Sequence, residues 1–145
     1  MRLSQTEAQL IRGGFNAIRA DAKASAEIFY RHLFQKSPAL RQLFVADMER
    51  QGAKLIQTLE TVAELLDKWG LLRTAVEDLG IRHAAYGVRA EHYPLVGDAL
   101  QAMLVERLGA THSPEVAAAW AKAYDAIAAA MIRAAYPDDL GSAGF

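Results

Sequence analysis

The sequence predicts an all-α domain of about seven helices. Its apolar residues recur at spacings of three and four, as in Leu72, Val76 and Leu79, and no segment alternates as a half-buried strand would. Helix-start signals are frequent: Ser4 has Glu7 three residues on, and Ser113-Pro114-Glu115 joins a capping serine to a proline at the first helical position. A third observation is chemical. His83 continues the Leu72, Val76, Leu79 stripe, so an imidazole stands on an apolar helix face.

Taken in order, the Ser4 and Glu7 capping box opens a first helix with Leu10, Ile11 and Phe15 on its apolar side. Asp21 caps a second, carrying Ile28, Phe29, Leu33 and Phe34. Ser37 and Pro38 open a short third helix through Leu40 and Leu43 to Phe44. A polar segment, VADMER at 45–50, precedes a fourth with Leu55, Leu59, Val62 and Leu66, expected to stop near Gly70. The helix of His83 comes next and ends around Gly87, where a glycine supplies the terminating conformation. Tyr93, Val96, Leu100, Met103 and Leu104 mark a sixth, closing near Gly109. Ser113 opens the last, with Val116, Trp120, Tyr124, Ile127 and Met131 on one face. Residues 1–136 read as one domain and 137–145, PDDLGSAGF in the last nine positions, as a flexible tail.

Composition bounds the function. The chain has 145 residues, enough for one domain with a substantial core and too few for two ordinary ones. Sixteen basic and 17 acidic residues nearly cancel without forming blocks, so neither nucleic acid nor an anionic membrane surface is an expected partner. With no cysteine there is no disulfide, thiolate metal site or cysteine nucleophile, which fits a reducing compartment. The longest apolar stretch, 126–132, is too short to span a bilayer, and the first residues carry no signal-peptide pattern. A cytoplasmic protein is the expectation.

An imidazole on an apolar stripe is either a core residue satisfied by a polar neighbour or a ligand to something bound. Met48 reads as lying in a polar loop, and Met103 and Met131 fall on core stripes where packing accounts for them. His32, His92 and His112 show no metal-ligand spacing and read as surface or rim residues.

Three segments in series resemble the globins, and among them the single-domain bacterial hemoglobins related to the globin part of flavohemoglobins. FYRHLFQKSPALRQLF at 29–44 is similar to the family's second and third helices, RHAAYGVRAEHYPLVGDAL at 82–100 to its proximal segment, and AAWAKAYDAI at 118–127 to its last helix. The resemblance covers residues 4 to about 135. It implies a globin fold around one heme b, with His83 as the iron ligand, Tyr30 at the distal tyrosine and Phe44 packed on the heme. It puts Gln51 and Leu55 over the iron, one helical turn apart, and Val88, Tyr93 and Val96 in the wall of the cofactor site. Arg82, with Lys54 and Arg89 as weaker candidates, would meet the propionates. A solvent-facing Gln51 and a core Tyr30 bonded to a backbone carbonyl are the plainer alternatives.

The implied function is reversible oxygen binding, for storage or delivery, with reactivity toward nitric oxide and binding of carbon monoxide. The resemblance leaves two alternatives open: a nitric oxide dioxygenase drawing electrons from a separate reductase, and a heme-based gas sensor. The sequence contains no glycine-rich dinucleotide motif and no room for a flavin or nicotinamide domain. Either a monomer or a homodimer fits. One departure stands out. Relatives of this type link the proximal histidine to a tyrosine, matched by Tyr93, and to a glutamate, where this chain has Ala134 and Ala135 and no acid before Asp138.

Overall fold

A computed structural model describes residues 1–44 and 47–137. Among them lie six α-helices, α1 (Gln5–Ala20), α2 (Ala22–Lys36), α3 (Met48–Glu64), α4 (Trp69–Ala85), α5 (Tyr93–Leu108) and α6 (Pro114–Ala135), and no strand. A six-residue 3-10 helix, Pro38–Leu43, is the seventh helix, and two single 3-10 turns, Ala90–His92 and Gly109–Thr111, flank α5. The expected tail falls largely at 138–145, outside the described residues.

Local capping accounts for most boundaries. Ser4 Oγ accepts from the Glu7 amide at 3.0 Å while the Glu7 carboxylate accepts from the Ser4 amide at 2.8 Å, a complete capping box. Asp21 accepts from the Ala24 amide, and Ser113 from the Val116 amide with Pro114 behind it. Gly87 and Gly109, at φ 98° and 53°, end α4 and α5 in the left-handed half of backbone space that glycine enters without steric cost.

Four expectations need correction. Ser37, expected to cap the short helix at Pro38–Leu43, makes no side-chain hydrogen bond to it. Polar residues of the 45–50 segment belong to a helix, because Asp47 accepts from the Glu49 amide at 2.9 Å and starts α3 at Met48. Met48 is therefore not in a loop; it is half-buried against the core. The fourth helix stops at Glu64, not near Gly70: Leu65 to Lys68 form the turn, and Gly70 lies in the first turn of α4.

The packing partners define the architecture. α2 packs on α5 and α3, α1 packs on α6 and α3, and α4 packs chiefly on α6. Consecutive helices α3 and α4 scarcely touch each other. The buried side chains accordingly form two clusters. The larger gathers Ile11, Phe15, Ile18, Phe29, Leu33, Met103, Leu104 and Trp120; the smaller gathers Leu72, Val76, Tyr93, Ala130 and Met131 around α4 and the end of α6. Close approach of α4 to α6 depends on Gly80, where a Cβ would stand 2.6 Å from the Met131 carbonyl oxygen.

Candidate functional site

Leu72 and Val76 are buried on the stripe that leads to His83, and the imidazole itself is half-buried in the last turn of α4. Its Nδ1 is enclosed and has no hydrogen-bond partner of ordinary geometry among the described residues. Burial pushes the imidazole's pKa below its usual value, the nearby Leu79 carbonyl opposes that fall and the Arg82 charge adds to it. The neutral ring is therefore favoured near pH 7, the form in which a nitrogen lone pair is available to a metal.

On α2, Tyr30 is 8% exposed and sits in an aromatic cluster. Its ring centroid lies 4.9 Å from that of Phe29, 5.7 Å from Phe34 and 5.4 Å from Phe44. Burial raises its hydroxyl pKa to about 12, an increase partly offset by the Gln51 amide beside it, although the two complete no hydrogen bond of ordinary geometry. Gln51 and Leu55 are half-buried in α3, four residues apart on one face. A groove of about 640 Å³ between α2 and α3 has Tyr30, Phe34, Met48, Gly52 and Ile56 in its walls.

Phe44, Leu55 and Val96 pack against the larger apolar cluster, Val88 and Tyr93 belong to the smaller. Val88, Tyr93 and Val96, all from the segment that follows His83, are thus divided between the two clusters. Tyr93 is buried at the start of α5; burial first, and the adjacent Tyr136 second, raise its pKa to about 12. The Tyr124 hydroxyl donates to the Tyr93 carbonyl at 2.7 Å. Arg82 is exposed and paired with Asp78 at 3.2 Å on its own helix; Lys54 and Arg89 are exposed. The three remaining histidines are half-buried: His32 contacts Glu106, His92 accepts from the Arg89 amide at 2.9 Å, and His112 stands two residues before α6. No group of three or more potential metal-ligating side chains occurs among the described residues, and the Nδ1 atoms of His83 and His112 are both buried without a partner.

Comparison with known proteins decides the family. The Globin family model matches residues 27–131. The chain belongs to the globin family. It is 33% identical over 133 residues to the flavohemoprotein of Bordetella pertussis and 31% identical over 129 residues to that of Rhizobium meliloti. These matches cover 90% and 87% of the chain, but the chain spans only about a third of the relatives' length, 33% and 32%. Among solved structures, an engineered carbene transferase derived from a candidate nitric oxide dioxygenase of Rhodothermus marinus is 32% identical, with a TM-score of 0.83 over 98% of this chain and 99% of that one. A bacterial globin from Campylobacter jejuni shares the fold at 23% identity, with a TM-score of 0.78 over 91% and 96% of the two chains.

Two long-range contacts made around the His83 helix escape sequence reasoning. Gly80 carries no periodic signal, and its role exists only against the Met131 backbone. Tyr136, just beyond α6, donates its hydroxyl to the Val88 carbonyl. The sequence carries a weak signal of it, since Tyr136 lies four residues after Ile132 and extends one face of α6 toward the residues that follow α4.

Proposed function

We propose that this globin binds one heme b through His83 in the space between α3 and α4, and binds oxygen reversibly with reactivity toward nitric oxide. The observation that carries the reading is His83 itself: a neutral imidazole, with no ordinary partner at Nδ1, on a helix that stands apart from its predecessor. The donor chemistry fits the group, because one neutral imidazole and apolar walls suit heme iron. When bound, the heme supplies an open iron position for a diatomic gas.

The chain's own residues tune the pocket around that position. The Tyr30 hydroxyl and Gln51 amide are donors that stabilise a partly anionic gas in a dry pocket, and Leu55 restricts water and ligand space. With its pKa about 12, Tyr30 keeps its proton at physiological pH and remains a donor. Val88, Tyr93 and Val96 line the site, Phe44 packs on the ring, and Arg82 or Lys54 meets a propionate. For Arg82 that means exchanging its Asp78 partner, an exposed pair of small worth. Carbon monoxide is a further ligand.

A second reading is favoured by the relatives, which are flavohemoproteins and a candidate nitric oxide dioxygenase. Here the protein converts nitric oxide and dioxygen together to nitrate, dioxygen supplying the two added oxygen atoms, and each turnover takes up one electron from a separate reductase. Absorption spectra of the reduced, oxygen-exposed and carbon monoxide-exposed protein test the heme reading; no heme absorption in any form of the purified or heme-supplemented protein rejects it. Nitric oxide is then added with oxygen and a reducing system. Sustained nitrate production means turnover, and one stoichiometric burst means gas binding.

A further inference from the structure

The space proposed for the cofactor has α3 and α4 as walls, yet these two helices scarcely touch and are joined by the short turn Leu65 to Lys68. Their separation is therefore set from elsewhere in the fold. α3 has no basic residue in its last turn and finishes on Glu64, although the unpaired carbonyls of a helix end favour positive charge. The cation comes from α1. Arg12 Nε donates to the Ala63 carbonyl at 3.1 Å, across 51 residues of sequence, and Arg12 Nη2 stands 3.6 Å from the Asp67 carboxylate in the turn. One guanidinium thus holds both the end of α3 and the segment that leads into α4. Leu66, between the two contacts, is buried in the larger apolar cluster.

We propose that Arg12 is a positioning residue for the heme space: it clamps the α3–α4 hinge and so fixes the splay between the wall that carries Gln51 and Leu55 and the wall that carries His83. This rests on the reading of His83 as the iron ligand. α1 packs on α6 as well as on α3, with Lys122 of α6 bonded to the Glu7 carboxylate at 3.1 Å, and α6 is in turn the chief neighbour of α4. The position of α3 relative to α4 is thus carried through α1 and α6. Of the two Arg12 contacts, the hydrogen bond outweighs the ion pair. The side chains of Arg12 and Asp67 are 43% and 66% exposed, where water screens a pair to little worth. Ala63, by contrast, is buried at a helix end, and its carbonyl lies too late in α3 for any amide of that helix to reach back to it.

The test compares Arg12→Met, which keeps an apolar stem and removes every donor, with Arg73→Met at an exposed i,i+4 pair on α4. In the protein as purified, amide exchange at Leu65 and Lys68, both hydrogen-bonded in the turn, should quicken in Arg12→Met relative to Met103 in the core of α5. The expected factor is roughly three- to tenfold, the range set by one hydrogen bond. Arg73→Met should leave that ratio unchanged. Because the chain has no cysteine, spin labels on Gln57→Cys and Ala75→Cys, both exposed, read the α3–α4 separation alone. Their distance distribution should shift or broaden in Arg12→Met, and with heme bound, transfer to an acceptor protein should quicken. If the distance distribution matches the parent's, Arg12 only caps α3 and the clamp is refuted, even where exchange has quickened. Should Arg12→Met fail to fold, Arg12→Gln, too short to span both contacts, takes its place under the same outcomes. Failure of the parent to bind heme would instead refute the His83 reading, and the distance measurement, made without heme, would still decide whether Arg12 holds the hinge.

Discussion

Gly80 of α4 lies against the backbone of Met131 in α6, so closely that a Cβ there would be 2.6 Å from the Met131 carbonyl oxygen and 2.7 Å from its Cα. Backbone cannot swing aside as a side-chain tip can. Gly80→Ala should therefore destabilise the protein by about 1–3 kcal/mol, outweighing the gain of about 1 kcal/mol that alanine brings to a helix. Gly70→Ala, in the same helix with nothing within 4 Å of the added carbon, should be neutral or slightly stabilising. Urea unfolding of the two variants checks the contrast; equal midpoints would mean that α4 and α6 slide apart at little cost.

Removing the imidazole tests the iron ligand. His83→Ala should sharply lower heme retention, or leave a site that added imidazole restores, because no other histidine is offered as a ligand. Heme transfer to an acceptor protein measures the change. An unaltered ferrous spectrum without added imidazole would assign the ligand elsewhere.

The distal pair separates hydrogen bonding from packing. Tyr30→Phe and Gln51→Leu should each speed oxygen dissociation by roughly ten- to a hundredfold, the worth of a charge-assisted hydrogen bond. Carbon monoxide, with far less charge on its outer atom, should respond much less. Because Gln51 lies beside the Tyr30 hydroxyl, the double variant should be non-additive. Stopped-flow ligand replacement measures all three; no change in either single variant would remove the distal pair from gas stabilisation.

Alkaline pH should expose the burial of Tyr30. Its folded-state pKa, about 12, is above the ordinary 10.0, so its contribution is complete below pH 10 and is lost as pH rises toward 12. The loss across that window is up to about 3 kcal/mol for one phenol. Tyr30→Phe should fall less steeply in stability between those pH values than the parent. Parallel curves in denaturant titrations would mean that the phenol ionises as freely in the folded protein as in the unfolded.

Much of the helical outline was legible in the sequence because its causes are local. A capping box at Ser4 and Glu7, a cap and proline at Ser113 and Pro114, and glycines at 87 and 109 act through bonds and dihedral angles within a few residues. His83 on an apolar stripe is local in the same sense, since periodicity alone puts it on the face of Leu72 and Val76. The boundaries that went astray lie where local signals conflict. Met48–Glu64 starts inside a polar run because Asp47 caps it, and α3 stops well before Gly70 because the chain must turn into α4.

Which elements meet is a property of the folded chain as a whole. Nothing within a few residues of Gly80 announces the Met131 backbone, and nothing near Tyr136 announces the Val88 carbonyl 48 residues away. That α4 leans on α6 and stands clear of α3 is the result of close approach at a glycine and of apolar burial summed over distant segments. Periodicity specifies that a face will be buried, while the partner is chosen by shape and backbone contact across the whole chain.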